Sequence, residues 1–484
     1  MTTSPPTLQS DNPSARALAL QILLDVHNRN AFVQEILDRH LGRVQLSGPD
    51  RRLVTQLAYG VLRRRGTLDA LLQPLVARPR HKVEPWLWEA LRLGAYQLVV
   101  LTHLPPHAVL NETVELAAVF QRPPLTLSSP PRGEEGQKKG AKGFLNGVLR
   151  ALSRLVTDER VEGPAADALP LEDGSYRRLL RPVFPDPCAY FSRYFASAFS
   201  LPEWLAQRWS ERYSREECVR LGFWFAGPAP LWLRCNPLKA TREQCLQALS
   251  AAAIAAEPGE HPQSIRLHET RPVRELPGFA EGWLTVQDES AMRVGSALMP
   301  EPGSRVLDLC AAPGGKTTHL AELMHNEGHI VGCDIDEGRL HLVSELAARL
   351  GIDIIETRLL DAAGKVPLPE GPFDAVLLDV PCSNTGVLGR RPEVRWRLRS
   401  EELPHLVRLQ HRLLHQACER VRPGGVIVYS TCSIEPEEDR LLIRALLREV
   451  SGLVLEAEEE RMPGQPADGG YWARLRMQQP RGKQ

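Results

Sequence analysis

From residue 303 onward, short apolar runs alternate with segments of helix length, and that alternation limits the fold more than any other feature. "RVLDL" (305–309), "IVGCD" (330–334), "IIETRLLD" (354–361), "FDAVLLD" (373–379) and "GVIVYS" (425–430) are too short for buried helices and rich in β-branched residues. Helical segments at 317–326, 337–350 and roughly 401–421 separate them. Continuous apolar strands joined by helices indicate a parallel sheet covered on both faces. Ligands of such α/β sheets bind beyond the carboxyl ends of the strands. Three of the five runs end in an acid: Asp334, Asp361 and Asp379.

The first strand leads into "DLCAAPGGKTTHL" (308–320). Small residues at Ala311, Ala312, Gly314 and Gly315 let a ligand approach the backbone closely. The helix that follows points free N–H groups at the same place. Asp334, eighteen residues after Lys316, can accept from both hydroxyls of a ribose. The pattern points to a nucleoside-bearing cofactor. A P-loop-like NTPase is the rival, because "CAAPGGKT" matches that motif except for Cys310 in place of its first glycine. The missing glycine matters where the turn must wrap a phosphate, and neither Asp334 nor the Pro381-Cys382 pair has a role in that chemistry.

Two thiols follow two of the strands. Cys382 stands in "DVPCSNTG" (379–386) and Cys432 in "YSTCSIEP" (429–436). If those strands are neighbours, both thiols face one cleft beside the cofactor loop. Methylating C5 of a pyrimidine needs such a site. A thiolate added to C6 makes C5 nucleophilic, an acid assists at N3, and a base removes the C5 proton. Asp379, Cys382 and Cys432 supply those group types, and the residues alone do not say which thiol attacks. The other cysteines (188, 218, 235, 245, 333 and 418) read as small buried hydrophobes, and Cys310 as part of the cofactor loop.

The rest of the chain divides by pattern. Residues 1–13 are polar and proline-bearing, the composition of a disordered tail. Residues 14–157 read as an all-α domain; Leu18, Ile22 and Val26 fall on one face, as do Leu53, Leu57 and Val61. A Gly-, Pro-, Ser- and Lys-rich stretch, 125–143, interrupts it as a flexible insertion. Residues 158–199 read as a linker, 200–290 as a small α+β module, and 291–484 as the α/β domain. Within the module "TREQCLQAL" is a helix opened by Thr241.

The chain is formally neutral, yet residues 1–160 hold 21 Lys/Arg against 14 Asp/Glu, an excess that suits a polyanionic partner. Two basic clusters could guide a nucleic acid: Arg390, Arg391, Arg395, Trp396 and Arg397, and Arg63, Arg64 and Arg65. Nine cysteines without a C-x-x-C argue against a zinc ribbon or a disulfide framework, and no metal is expected. The polar start lacks a signal peptide's apolar core and no run is long enough to span a membrane, which leads us to expect a cytoplasmic protein.

"DLCAAPGGKTTHL", "DVPCSNTGVLGRRPEVRW" and "YSTCSIEPEED" resemble the motifs of the NOL/NOP/Sun family of RNA 5-methylcytosine methyltransferases. "RRLVTQLAYGVLRRRGTLDALL" and "LPPHAVLNETVELA" resemble the NusB-like RNA-binding domain. The resemblance covers about 14–478. It implies a Rossmann-like class I methyltransferase fold with a mostly parallel seven-stranded sheet, preceded by an all-α NusB-like domain and a small α+β module. It implies S-adenosyl-L-methionine as cofactor and 16S ribosomal RNA as substrate, for a monomer not bound to membranes. Cys310, Ala311, Ala312, Pro313, Gly314, Gly315 and Lys316 would line the methionine part of the cofactor. Asp334 would bind its ribose, Asp361 would lie near the adenine, and Asp379 at the cytosine beside the methyl donor. The resemblance makes Cys432 the nucleophile and gives Cys382 the release of product. Asn384 departs from it, standing where the family commonly has a small residue. A non-catalytic RNA-binding factor of antitermination type, built on the helical domain, is the third reading and would need neither thiol.

Overall fold

The computed structural model describes residues 13–29, 31–120, 134–269, 271–361 and 366–479, with side chains from 140 in the third stretch. It forms two compact units: Met1–Pro228 with Leu388–Arg397, and Ala229–Val387 with Leu398–Gln484. The division at Pro228 falls inside the stretch 200–290 expected as one module. The disordered tail expected for 1–13 lies, up to residue 12, outside the described residues.

The first unit begins with six helices: Ala15–Arg29, Val33–Leu41, Gly48–Leu72, Pro85–Val99, Pro106–Val119 and Glu134–Leu155. Prolines open three of them, where a missing N–H costs nothing. Ser47 caps the third by accepting from the Asp50 N–H at 3.2 Å. The third and fourth helices cross closely at Gly60, where a Cβ would come within 2.1 Å of the Tyr96 ring. The 125–143 insertion falls partly outside the described residues, but from Glu134 it is helix. That half lacks proline, and its Glu and Lys residues favour helix more than its glycines oppose it.

The stretch 158–199 is not the linker its composition suggests. It carries most of a three-stranded antiparallel sheet (Val156–Val161, Ala168–Pro170 and Tyr176–Leu179) and a helix, Phe191–Ala198. Strands of three to six residues are too short to show a period, and the first is largely exposed, so proline and acid hid them. Helices Glu203–Arg212 and Arg215–Ala226 complete the unit.

The second unit opens with a four-stranded antiparallel sheet (Leu231–Cys235, Ala256–Pro258, Ser264–Leu267 and Leu284–Val286) carrying the helix Arg242–Ala251. Thr241 and Gln244 form the capping box that starts this helix. A helix, Glu289–Leu298, leads to the main sheet. Its strands are β1 (Arg305–Asp308), β2 (His329–Asp334), β3 (Ile355–Leu359), β4 (Phe373–Asp379), β5 (Val421–Thr431), β6 (Leu453–Arg461) and β7 (Gly470–Met477). Their order is β3-β2-β1-β4-β5-β7-β6, with β3 to β5 parallel and β7 antiparallel to both neighbours. The expected seven-stranded, mostly parallel Rossmann-like sheet is present.

Helices α1 (Gly315–Leu323), α2 (Glu337–Leu350), α3 (Leu403–Arg420) and α4 (Arg440–Glu449) flank it. Successive residues of one strand serve opposite faces. Val306, Leu377 and Val428 pack with Leu320 of α1 and Met324 just after it on one side. Leu307, Val376 and Ile427 pack with Leu414 of α3 and Ile443 of α4 on the other. Burial on both faces explains why these strands read as unbroken apolar runs. The chain order reverses between β1 and β4, so a ligand site is expected at their carboxyl ends. Among the described residues no helix is long and apolar enough to cross a membrane.

Candidate active site

The loop after β1 turns sharply into α1. Gly314 adopts φ +102°, and a Cβ there would stand 3.0 Å from the Val343 backbone, so only glycine fits without displacement. A Cβ on Gly315 would meet nothing closer than the Gln287 amide at 3.9 Å, which leaves the first turn of α1 open to a ligand. Asp308 closes the loop from below, accepting from Thr317 Oγ1 at 2.8 Å and from the Cys310 N–H at 3.3 Å. Burial pushes the Asp308 carboxyl up to about 7. Cys310 is pushed well above the ordinary thiol value, chiefly by burial, and its N–H is already bonded within the loop.

The acids surround this loop. Asp334 ends β2, 8% exposed, and its Oδ1 accepts the Asp336 N–H at 3.1 Å. Asp361 follows β3, whose end is tied to β2 by the Leu360 N–H donating to Asp334 O at 2.8 Å. Asp379 ends β4 and accepts from Lys316 Nζ at 2.7 Å and Ser430 Oγ at 2.9 Å. Burial pulls the Lys316 ammonium down, but the Asp379 carboxylate outweighs it and holds it charged. A glycine cradle open at Gly315, with acids at three strand ends, fits a cofactor with a ribose and positive charge, as S-adenosylmethionine has. It suits a triphosphate poorly, because the lysine a P-loop would turn to phosphate is paired with Asp379.

Strands β4 and β5 are neighbours, in register at Asp379 and Ser430. Their loops bring Cys382 Sγ within 3.3 Å of Cys432 Sγ. Cys382 is buried, and its proton is held first by the bond to Cys432 and then by burial, both of which raise it. Cys432 is half-buried and so the more accessible of the two.

Two further residues, for which sequence reading had no role, organise this pair. Asn384 takes φ +58°, a conformation that asparagine tolerates better than most residues. Its Oδ1 accepts the Cys432 thiol at 3.2 Å while its Nδ2 donates to Cys382 O at 2.7 Å. The substitution that looked like a departure therefore touches both thiol loops. Glu438 is fully buried and joins the same loops from behind. Its Oε1 accepts the Ser383 N–H and Gln410 Nε2, each at 2.9 Å. Its Oε2 accepts the hydroxyls of Ser433, at 2.6 Å, and Ser383. Burial raises the Glu438 carboxyl, and these four bonds oppose the rise. Each anchored serine directly follows a thiol, so the paired Cys-Ser steps were the one available signal.

Much of the two basic clusters bonds within the protein. Arg395 is fully buried within the first unit and donates to the carbonyls of Arg63 at 3.0 Å, Ser200 at 3.2 Å, and Phe225. Arg397 donates to Val26 O at 3.1 Å, and Arg64, 1% exposed, to Pro170 O at 2.9 Å. Trp396 Nε1 reaches Leu62 O at 3.4 Å, and Arg63 donates to Gly389 O at 2.8 Å. A guanidinium offers five donors, and a sequence cannot say whether carbonyls or phosphates take them. Arg391 alone of the named arginines is exposed, with its guanidinium 4.9 Å from the Phe32 ring centroid.

Comparison with known proteins agrees with this geometry. Residues 295–469 match the family model for 16S rRNA methyltransferase RsmB/F. Residues 13–126 match the NusB family, and 201–274 the ferredoxin-like domain of RsmF/B-like methyltransferases. The chain is 36% identical over 441 residues to the probable ribosomal RNA small subunit methyltransferase B of Synechocystis, covering 90% of this chain and 89% of that one. It is 34% identical over 472 residues to ribosomal RNA small subunit methyltransferase B of Escherichia fergusonii, covering 95% and 98%. The solved structure of PH0851 shares the fold, with a TM-score of 0.73 at 24% identity, covering 97% of this chain and 100% of that one. With its Rossmann-like sheet, cofactor loop and NusB-family segment, the chain belongs to the RsmB/F family of 16S rRNA methyltransferases, which take their methyl group from S-adenosylmethionine.

Proposed function

We propose that this chain methylates C5 of a cytosine in 16S ribosomal RNA, with Cys432 as nucleophile and Cys382 as the releasing thiol. The observation that carries the reading is the 3.3 Å approach of two thiols beside Asp379, at the ends of adjacent strands. The Cys432 thiolate forms a bond to C6, and the C5–C6 π pair moves into the ring as N3 gains a proton. Asp379 is the carboxyl proposed to stand at N3. S-adenosylmethionine, when bound, supplies the electrophilic methyl. C5, made nucleophilic by Cys432, would take that methyl with loss of the thioether from its sulfonium, and N3 would return its proton. Loss of the C5 proton to a base restores the C5–C6 double bond and expels Cys432 from C6. Cys382, whose Sγ lies 3.3 Å from that of Cys432, is proposed to act in that last step.

The loop 310–316, with Asp334 and Asp361, is proposed to hold the cofactor, and Lys316 to keep Asp379 oriented. The protein is proposed to act as a monomer in the cytoplasm, away from membranes. Nine cysteines without a disulfide suit a reducing compartment. The test is methyl transfer from labelled S-adenosylmethionine to small-subunit ribosomal RNA, followed by nucleoside analysis. The expected product is 5-methylcytidine, made by wild type and not by Cys432→Ala. Label on another nucleoside, or undiminished transfer by Cys432→Ala, would overturn the proposal.

A further inference from the structure

Helices α3 and α4 of the second unit meet at a cluster that the methyl-transfer reading does not use. His411 and His415 stand one turn apart on α3, and Glu449 is the last residue of α4. The i,i+4 spacing puts both imidazoles on one face. His411 Nε2 lies 2.8 Å from Glu449 Oε2, and His415 Nε2 lies 3.0 Å from the same oxygen. The two rings stand edge to face with centroids 4.6 Å apart. All three ligand atoms lie within 4.8 Å of one another.

Both imidazole nitrogens hydrogen-bond one carboxylate oxygen, so three ligand atoms are already gathered, and a bound ion would replace those hydrogen bonds. Nitrogen and oxygen ligands about 2.0–2.1 Å from a tetrahedral ion stand roughly 3.4 Å from each other. The present spacings fall short of that by a few tenths of an ångström, which exposed side-chain rotamers can supply. The side chains are 33%, 39% and 46% exposed, so an ion can enter from solvent and complete its shell with water. Imidazole and carboxylate together select zinc or a neighbouring transition ion over magnesium or calcium. Arg408, Arg412 and Glu437 line the adjoining groove, so affinity must come from the coordinating bonds and not from a negative field.

We propose that His411, His415 and Glu449 form a surface site for a divalent transition ion that ties α3 to α4. The ion would brace the helices behind the thiol loops, because α3 carries Gln410, which holds Glu438, and α4 begins just after Asp439.

The experiment uses the full chain, stripped with a chelator and titrated with Zn²⁺ alone against a competing indicator. Cobalt substitution reports the ligand type by its visible spectrum. His411→Ala/His415→Ala removes the site, and Glu449→Gln weakens it with little change in size. Cys382→Ser/Cys432→Ser controls for the thiols, which also bind soft ions. The expected result is one equivalent bound by wild type and by the cysteine variant but lost from the histidine variant. Its cobalt form should show no thiolate charge-transfer band, and zinc should raise the thermal midpoint of wild type but not of the histidine variant. Equal stoichiometry in wild type and the histidine variant, or loss of all binding with the cysteines, would overturn the site. Neither result depends on methyl transfer.

Discussion

Glu438 offers a sharp test of how the two thiol loops are held. Its two oxygens face different kinds of donor. Oε1 accepts a backbone N–H from Ser383 and an amide N–H from Gln410, neither of which can turn into an acceptor. Oε2 faces the hydroxyls of Ser383 and Ser433, which can rotate and accept instead. In Glu438→Gln the amide oxygen can keep the Oε1 bonds while its NH₂ donates to the two hydroxyls. That exchange should cost no more than about 1 kcal/mol. Glu438→Ala leaves two buried donors without partners, at roughly 1–3 kcal/mol each, and opens a cavity, so a loss of about 2–6 kcal/mol or more is expected. Urea unfolding of the full chain measures both. Alkylation of Cys382 in the folded protein should be slow in wild type and Glu438→Gln and faster in Glu438→Ala, because Ser383 loses its anchor. Equal losses for the two variants would refute the reasoning, since they would make the charge, and not the bonds, what matters.

Three other outcomes follow from the same structure. Burial holds the Asp308 carboxyl up to about 7 from an ordinary 3.8, so the folded chain binds the extra proton between those values. Stability should therefore fall as pH rises through that window, by about 4 kcal/mol at roughly 1.4 kcal/mol per unit, and level off above it; Asp308→Asn should flatten the fall in a pH series of thermal midpoints. Arg395→Ala should destabilise the first unit by about 3 kcal/mol or more, by orphaning several buried carbonyls, and Arg395→Lys should recover only part of it; calorimetry checks both. Asn384→Gly keeps the backbone conformation but removes the acceptor of the Cys432 thiol, a bond of about 0.5–1.5 kcal/mol, so the rate of Cys432 alkylation at fixed pH should rise roughly two- to tenfold.

The parts of the fold legible in the sequence were those with strong local signals. β1, β2, β4 and β5 stood out because burial on both faces removes polar residues from most of each run. The carboxyl ends of those runs carried the acids, and the glycine loop marked the turn into α1. The thiols drew notice because two cysteines followed two such strands. The strands between 156 and 179 escaped, since runs of three to six residues are too short to show a period, and the first is partly exposed. Glu438 escaped because it lies in "IEPEED" among other acids, and only the fold shows which of them bonds Ser383 and Ser433. Arg395 and Arg64 misled for the opposite reason: burial turns a cation that looks like a phosphate ligand into a clamp on backbone carbonyls. The cluster of His411, His415 and Glu449 escaped because its third member lies on another helix.

The central claim is that Cys432 attacks and Cys382 releases. The most direct measurement incubates wild type, Cys382→Ala and Cys432→Ala with small-subunit ribosomal RNA and labelled S-adenosylmethionine, then looks for a denaturation-resistant protein–RNA adduct. The expected result is that Cys382→Ala accumulates the adduct, while Cys432→Ala forms neither adduct nor product. An adduct retained by Cys432→Ala and abolished by Cys382→Ala would reverse the two roles and contradict the claim.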